Sequence, residues 1–153
     1  MKISELLKSG TVVSDLRSSS KASVLTEMTE ALHQKHPELS KSTVLNVLQE
    51  RERLGSTGIG EGVAIPHGKL ANIDELLLCF GRSREGVEFD SIDGKPAHLF
   101  FLLIAPEDSV GIHLKTLARI SKLLKESRVR SRLLAAKDSD EIFSLIVEEE
   151  EHL

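Results

Sequence analysis

"LFFLLIA", Leu99–Ala105, is the longest uninterrupted apolar run in the chain, and His98 stands just before it. It is far shorter than the ~20 residues a membrane-spanning helix needs. Two adjacent Phe among Leu and Ile instead suit a strand buried on both faces, which requires a sheet around it and cover above and below. Candidate neighbours lie on either side in the sequence: "TVVS" (Thr11–Ser14), "GVAI" (Gly62–Ile65), "ELLLCF" (Glu75–Phe80) and Val87–Phe89. The charged "GRSRE", Gly81–Glu85, reads as a break between two of these runs. Asp93-Gly94 is a turn signal ahead of the central run, and a hairpin there makes the sheet mixed.

Helical periodicity fills the remainder. Val24, Leu25, Met28 and Leu32 recur at helical spacing before Pro37. Ser40 is a good N-cap, with Leu39 and Val44 placed as a hydrophobic staple. Gly55 suits the residue just past that helix, so Arg51 falls in its last turn. A further helix begins near Asp108 and Ser109 and carries Leu114, Leu117, Ile120 and Leu124. The last opens with Asp138 and Glu141, spaced as a capping box, and carries Ile142, Phe143 and Ile146. The expectation is one α/β domain over residues 1–153, with a core at about 3–147. Its mixed sheet of four to five strands is covered on both faces. Glu148–Glu151 read as a solvated, fraying tail.

Composition excludes several function classes. The formal charge is −4 and the pI about 5.9, so the basic excess of a nucleic-acid binder is missing. With no Trp or Tyr, platforms for stacking bases or sugars are scarce. Cys79, the only cysteine, sits in an apolar run, which reads as a small core residue and fits a reducing compartment. "MKISELLKSG" lacks the apolar segment of a secretory signal, so a cytoplasmic protein without membrane insertion is expected.

The functional signal lies in "GSTGIGEGVAIPHGK", Gly55–Lys69, which holds five of the ten glycines around one histidine. Neither common glycine-loop reading fits. After Gly62 a nucleotide P-loop would place Gly-Lys one residue earlier and follow it with a hydroxyl where Leu70 stands. A dinucleotide fingerprint would need glycine at Val63 and a strand in front of the block. Chemistry on His67 itself remains. A neutral imidazole is a good nucleophile toward phosphorus, and the product passes its phosphoryl group on readily. Such a site needs an uncommitted ring nitrogen, room for three oxygens, and donors or cations to hold their charge. Gly68 leaves space, the backbone of Gly55–Gly58 and the hydroxyls of Ser56 and Thr57 offer donors, and Arg51 lies on the preceding helix. His113 opens a helix whose first turn attracts anions, although a histidine there is also the kind found satisfied within a core.

"RERLGSTGIGEGVAIPHGK", Arg51–Lys69, together with "IHLKTLARISKLL", Ile112–Leu124, resembles the IIA component of the bacterial phosphoenolpyruvate-dependent phosphotransferase system, in its mannitol/fructose/nitrogen-regulatory class. The resemblance runs from about Ile3 to about Val147. It implies a three-layer α/β/α sandwich and a phosphotransferase component with a covalent phosphohistidine intermediate. By the same resemblance His67 is the phosphoryl acceptor, modified on its tele nitrogen, while His113 stabilises the phosphoryl group and Arg51 its charge. Ser56, Thr57, Gly58 and Gly68 are expected around the phosphate, with no cofactor and no metal.

The implied donor is an HPr-like phosphocarrier protein, and the acceptor is either a regulatory target protein or a IIB domain. Sugar-transporting relatives often carry fused IIB, IIC or carrier domains, for which 153 residues leave no room. The nitrogen-regulatory branch is therefore preferred to a fructose- or mannitol-type component. Two other classes compete: a metal hydrolase using His67 and His113, and a binding module without chemistry. The first is disfavoured by Arg51 and Lys69, which would oppose a dication. Lys69 itself reads as a solvated cation and His98 as structural, while His33 and His36 suit a helix C-terminus.

Overall fold

The computed structural model describes residues 2–8 and 11–153, and of Val110 the backbone alone. Three helices and one strand open the described chain: α1 (Ile3–Lys8), β1 (Thr11–Val13), α2 (Lys21–Lys35) and α3 (Lys41–Arg53). Five strands follow: β2 (Gly58–Gly60), β3 (Val63–Ala64), β4 (His67–Leu70), β5 (Leu77–Val87) and β6 (Ala97–Pro106). Three helices complete the described chain: α4 (Val110–Lys125), α5 (Ser127–Ala135) and α6 (Ser139–Glu150).

The central run is the central strand. β6 pairs antiparallel with β5 on one side and parallel with β3 and then β4 on the other. β1 extends the sheet parallel to β5, and β2 extends it antiparallel to β3. Period-two alternation sends Leu99, Phe101, Leu103 and Ala105 into the cluster shared with α1, α4, α5 and α6. Phe100, Leu102 and Ile104 enter the opposite cluster, beneath α2 and α3. The fold is an α/β/α sandwich on a mixed sheet, and the sheet has six strands where four to five were expected. The additional strands, β2 and β4, come from the glycine block, whose residues carry little strand propensity. Pro66 separates β3 from β4 along the same edge of β6: it offers no N–H, but its carbonyl accepts from Leu103 N at 3.0 Å.

Both caps expected of α3 form. Ser40 accepts from Thr43 N, Leu39 and Val44 are buried together, and Gly55 follows the end at φ +145°. Asp138 accepts from Glu141 N at the start of α6. Cys79 is fully buried, and burial pushes its thiol far up, as suits a core residue. Asp93-Gly94 turns within the connection from β5 to β6, with Gly94 at φ +72°.

Two expectations are corrected. "GRSRE" does not interrupt the sheet: β5 runs through it, with Arg82 fully buried. The Arg82 guanidinium donates to the Leu133 and Ala136 carbonyls at 2.9 and 2.5 Å, at the C-terminal end of α5, and its Nε donates to Ser14 O. Helix-end carbonyls carry partial negative charge, which is what makes this burial tolerable. Nor are all of Glu148–Glu151 a solvated tail. α6 continues to Glu150, and Glu149 and Glu150 are 4% and 3% exposed. Glu149 accepts from Arg128 and Arg132, and Glu150 from Arg119. Glu150 also accepts from Ile3 N and Ser4 N, which fixes the start of α1 to the end of α6. Among the described residues no helix is long and apolar enough to cross a membrane.

Candidate active site

His67 begins β4, in register with Leu103 of β6, so its ring projects toward the face that α4 covers. Gly68 projects the other way. A Cβ there would run into the Val47 side chain of α3, so Gly68, which lines the cleft beside His67, is also small to let that helix lie on the strand. Lys69 returns to the His67 face and is exposed. α4 contributes His113 from its first turn, with its ring centroid 5.4 Å from that of His67. Arg51 comes from the last turn of α3. The end of α3, the start of β4 and the start of α4 thus meet at an open cleft of about 470 Å³ lined by Arg51, Leu54, His67, Lys69, His113 and Leu114, among others.

The polar contacts inside this cleft are specific. His67 Nδ1 lies 2.7 Å from the Ile65 carbonyl, and Nε2 has no hydrogen-bond partner among the described residues. A carbonyl can only accept, so the neutral ring carries its proton on Nδ1 and leaves the lone pair on Nε2. Burial holds the His67 pKa below its usual value; the Ile65 hydrogen bond opposes this, nearby Arg51 adds to it, and Glu52 opposes it. His113 is 6% exposed, and its Nδ1 has no hydrogen-bond partner among the described residues. Burial, then the positive charges that His67 and Lys69 can carry, lower its pKa as well. The result is two imidazoles biased toward their neutral form beside the basic side chains of Arg51 and Lys69, an arrangement suited to an anionic group in transfer.

Arg51 Nη1 donates to the Gly55 carbonyl at 2.9 Å. Ser56, Thr57 and Gly58 lie outside the cleft lining, with both hydroxyls and the N–H groups of Thr57 and Gly58 already engaged. Ser56 Oγ donates to Phe89 O at 2.6 Å, and Gly58 N donates to Ser56 Oγ. Both the backbone N–H and the hydroxyl of Thr57 donate to the Glu52 carboxylate. The sequence expectation that these three face an anion does not match this arrangement, because the turn uses them to hold itself. Two contributors went unread in the sequence, the Ile65 carbonyl and Val47; the first is backbone, and the second is one more apolar residue on a helix. His98 is structural, with Nδ1 2.9 Å from Ser83 O. No group of three His, Cys, Asp or Glu side chains among the described residues is placed to share a metal ion.

Comparison with known proteins follows the same lines. Residues 5–149 match the family described as "Phosphoenolpyruvate-dependent sugar phosphotransferase system, EIIA 2". The chain is 40% identical over 146 residues to a "PTS system fructose-specific EIIABC component" of Bacillus subtilis, covering 95% of this chain but only 23% of that much longer protein. It is 38% identical over 149 residues to a "Nitrogen regulatory protein" of Bradyrhizobium diazoefficiens, covering 95% of each. The crystal structure of nitrogen regulatory protein IIA-Ntr from Neisseria meningitidis superposes with a TM-score of 0.85 at 36% identity, over 94% of this chain and 98% of that one. The fold is also that of IIA mannitol from Escherichia coli, at TM-score 0.72 and 22% identity, over 88% and 94% of the two chains. By its sequence over nearly its whole length, and by the fold it adopts, this chain belongs to the EIIA 2 family of the phosphoenolpyruvate-dependent sugar phosphotransferase system.

Proposed function

We propose that this chain is a phosphocarrier in which His67 takes one phosphoryl group on Nε2 from the phosphohistidine of an HPr-like carrier protein. The observation that carries the reading is the 2.7 Å contact between His67 Nδ1 and the Ile65 carbonyl, which leaves the Nε2 lone pair uncommitted within a cleft. As the bond from phosphorus to Nε2 forms, the bond to the donor's ring nitrogen breaks and its electron pair returns to the donor's ring. Little remains for the protein beyond positioning and holding charge. Arg51 and Lys69 supply cations, and His113 supplies an uncommitted imidazole. Arg51 rests on a neutral carbonyl, a partner it can exchange for phosphoryl oxygens at little cost.

Downstream, the phosphorylated form acts as a cytoplasmic signal read by partner proteins. Supporting this are two nitrogen regulatory relatives, one matching 95% of this chain at 38% identity and the other superposing at TM-score 0.85 with 36% identity. A phosphoryl group adds nearly two negative charges beside the exposed Leu54 and Leu114, enough to switch a protein contact. The 40% identity to a fructose-specific EIIABC component favours a second reading, transfer onward to a IIB domain during sugar uptake.

The test is incubation with phosphoenolpyruvate, enzyme I and the carrier, followed by intact-mass analysis. One acid-labile, alkali-stable phosphoryl group is expected on the wild type and none on His67→Ala; labelling of that variant would overturn the assignment. Rapid transfer from phospho-His67 to a sugar-specific IIB, coupled to uptake, would replace the regulatory reading with the transport one.

A further inference from the structure

We infer that Glu52 is the positioning residue of this site: it does not touch the transferred group, but it sets both the tautomer of His67 and the resting place of Arg51. The inference rests on His67 being the acceptor. Glu52 stands next to Arg51 in the last turn of α3, and its side chain is only 7% exposed. A carboxylate so placed is maintained only if its oxygens are satisfied. Lys21 Nζ lies 2.9 Å from Oε1, while Thr57 N donates to Oε1 at 3.0 Å and the Thr57 hydroxyl donates to Oε2. Lys21 is fixed in turn, with Nζ 4.9 Å from the centre of the Phe89 ring and 3.6 Å from Asp90.

From this anchor two chains of contacts run to the chemistry. The Thr57 carbonyl accepts from Ile65 N at 3.0 Å, and the Ile65 carbonyl accepts from His67 Nδ1 at 2.7 Å. Through these links the carboxylate fixes where the Ile65 carbonyl points, and so which ring nitrogen keeps its proton. The second chain is shorter. Clamping Thr57 fixes the turn that follows α3, and the Gly55 carbonyl of that turn holds the Arg51 guanidinium. One buried carboxylate therefore keeps nucleophile and cation in register. Ser56 supports the same turn independently through Phe89 O.

The test separates this role from bulk stability and from the acceptor assignment. Two-dimensional nitrogen–proton NMR of uniformly labelled protein reads the His67 tautomer directly. The wild type is expected to hold the Nδ1–H form. Glu52→Ala is expected to populate the Nε2–H form and to slow phosphoryl acceptance by about 10–100-fold, as misplacement remote from the chemistry does. Glu52→Gln, which can still accept from Thr57, is expected to restore much of the tautomer ratio and rate. Thr57→Val removes one link without removing a charge; if Glu52→Ala does not fold, this variant carries the test with the same expected direction. Wild-type tautomer and rate in a folded Glu52→Ala, or in Thr57→Val if that is the variant used, would overturn the inference. Labelling of His67→Ala would instead overturn the acceptor assignment, so the two failures are distinguishable.

Discussion

Protonation decides whether His67 can attack phosphorus, and its neighbours act on it in opposite directions. Burial and Arg51 favour the neutral ring; the Ile65 hydrogen bond and Glu52 favour the charged one, and the balance lies below the ordinary 6.5. His113 is lowered too, chiefly by burial. NMR titration is therefore expected to place both midpoints below 6.5. Arg51→Ala should move the His67 midpoint upward, because it removes a charge that penalises the imidazolium. An unmoved midpoint would mean that the ring does not sense the guanidinium. The same lowering affects stability. As pH falls through 6.5 the unfolded chain takes up these protons before the folded one does, so this contribution is complete above 6.5 and diminishes below it.

At the scale of elements, the site depends on how closely α3 lies on β4, and Gly68 sets that distance. Gly68→Ala places a methyl group against Val47. Overpacking of this kind costs about 1–3 kcal/mol, and it would shift the helix that carries Arg51. Thermal melts should show the loss, and Val47→Ala in the same chain should recover part of it. Additive losses in the double variant would mean that the two positions do not meet.

The pair also illustrates what could be read in the sequence. The caps of α3, the apolar stripes of the helices and the double-faced β6 follow from local pattern, and they bring Arg51, His67 and His113 to the same end of the sheet. Strands β2 and β4 do not, because their glycines owe their extended form to pairing with β3 and β6. Arg82 looked like a break because the carbonyls that satisfy it lie 51 and 54 residues away. Short-range pattern cannot carry contacts of that range.

Over the whole molecule, the acidic end of α6 is a structural anchor. Hydrogen bonds from Arg128, and secondarily from Arg132, outweigh burial and hold the Glu149 carboxyl down to about 2. Folding favours its charged form, so its contribution is complete above the ordinary 4.5 and is lost as pH falls from there toward 2. Glu149→Gln should therefore flatten the acid limb of the stability profile over that window; an unchanged limb would mean that other carboxylates carry it. Glu150→Ala strands two backbone N–H groups of α1 and the Arg119 guanidinium, a loss on the order of 2 kcal/mol by denaturant titration. That clamp has a topological consequence. Since residue 3 touches residue 150, the stretch between them forms a nearly closed ring, and its linear order is only one of several that the packing permits. A circular permutant that bridges α6 to α1 with a short linker and is opened at the exposed Asp93-Gly94 turn should refold and accept phosphoryl groups like the parent.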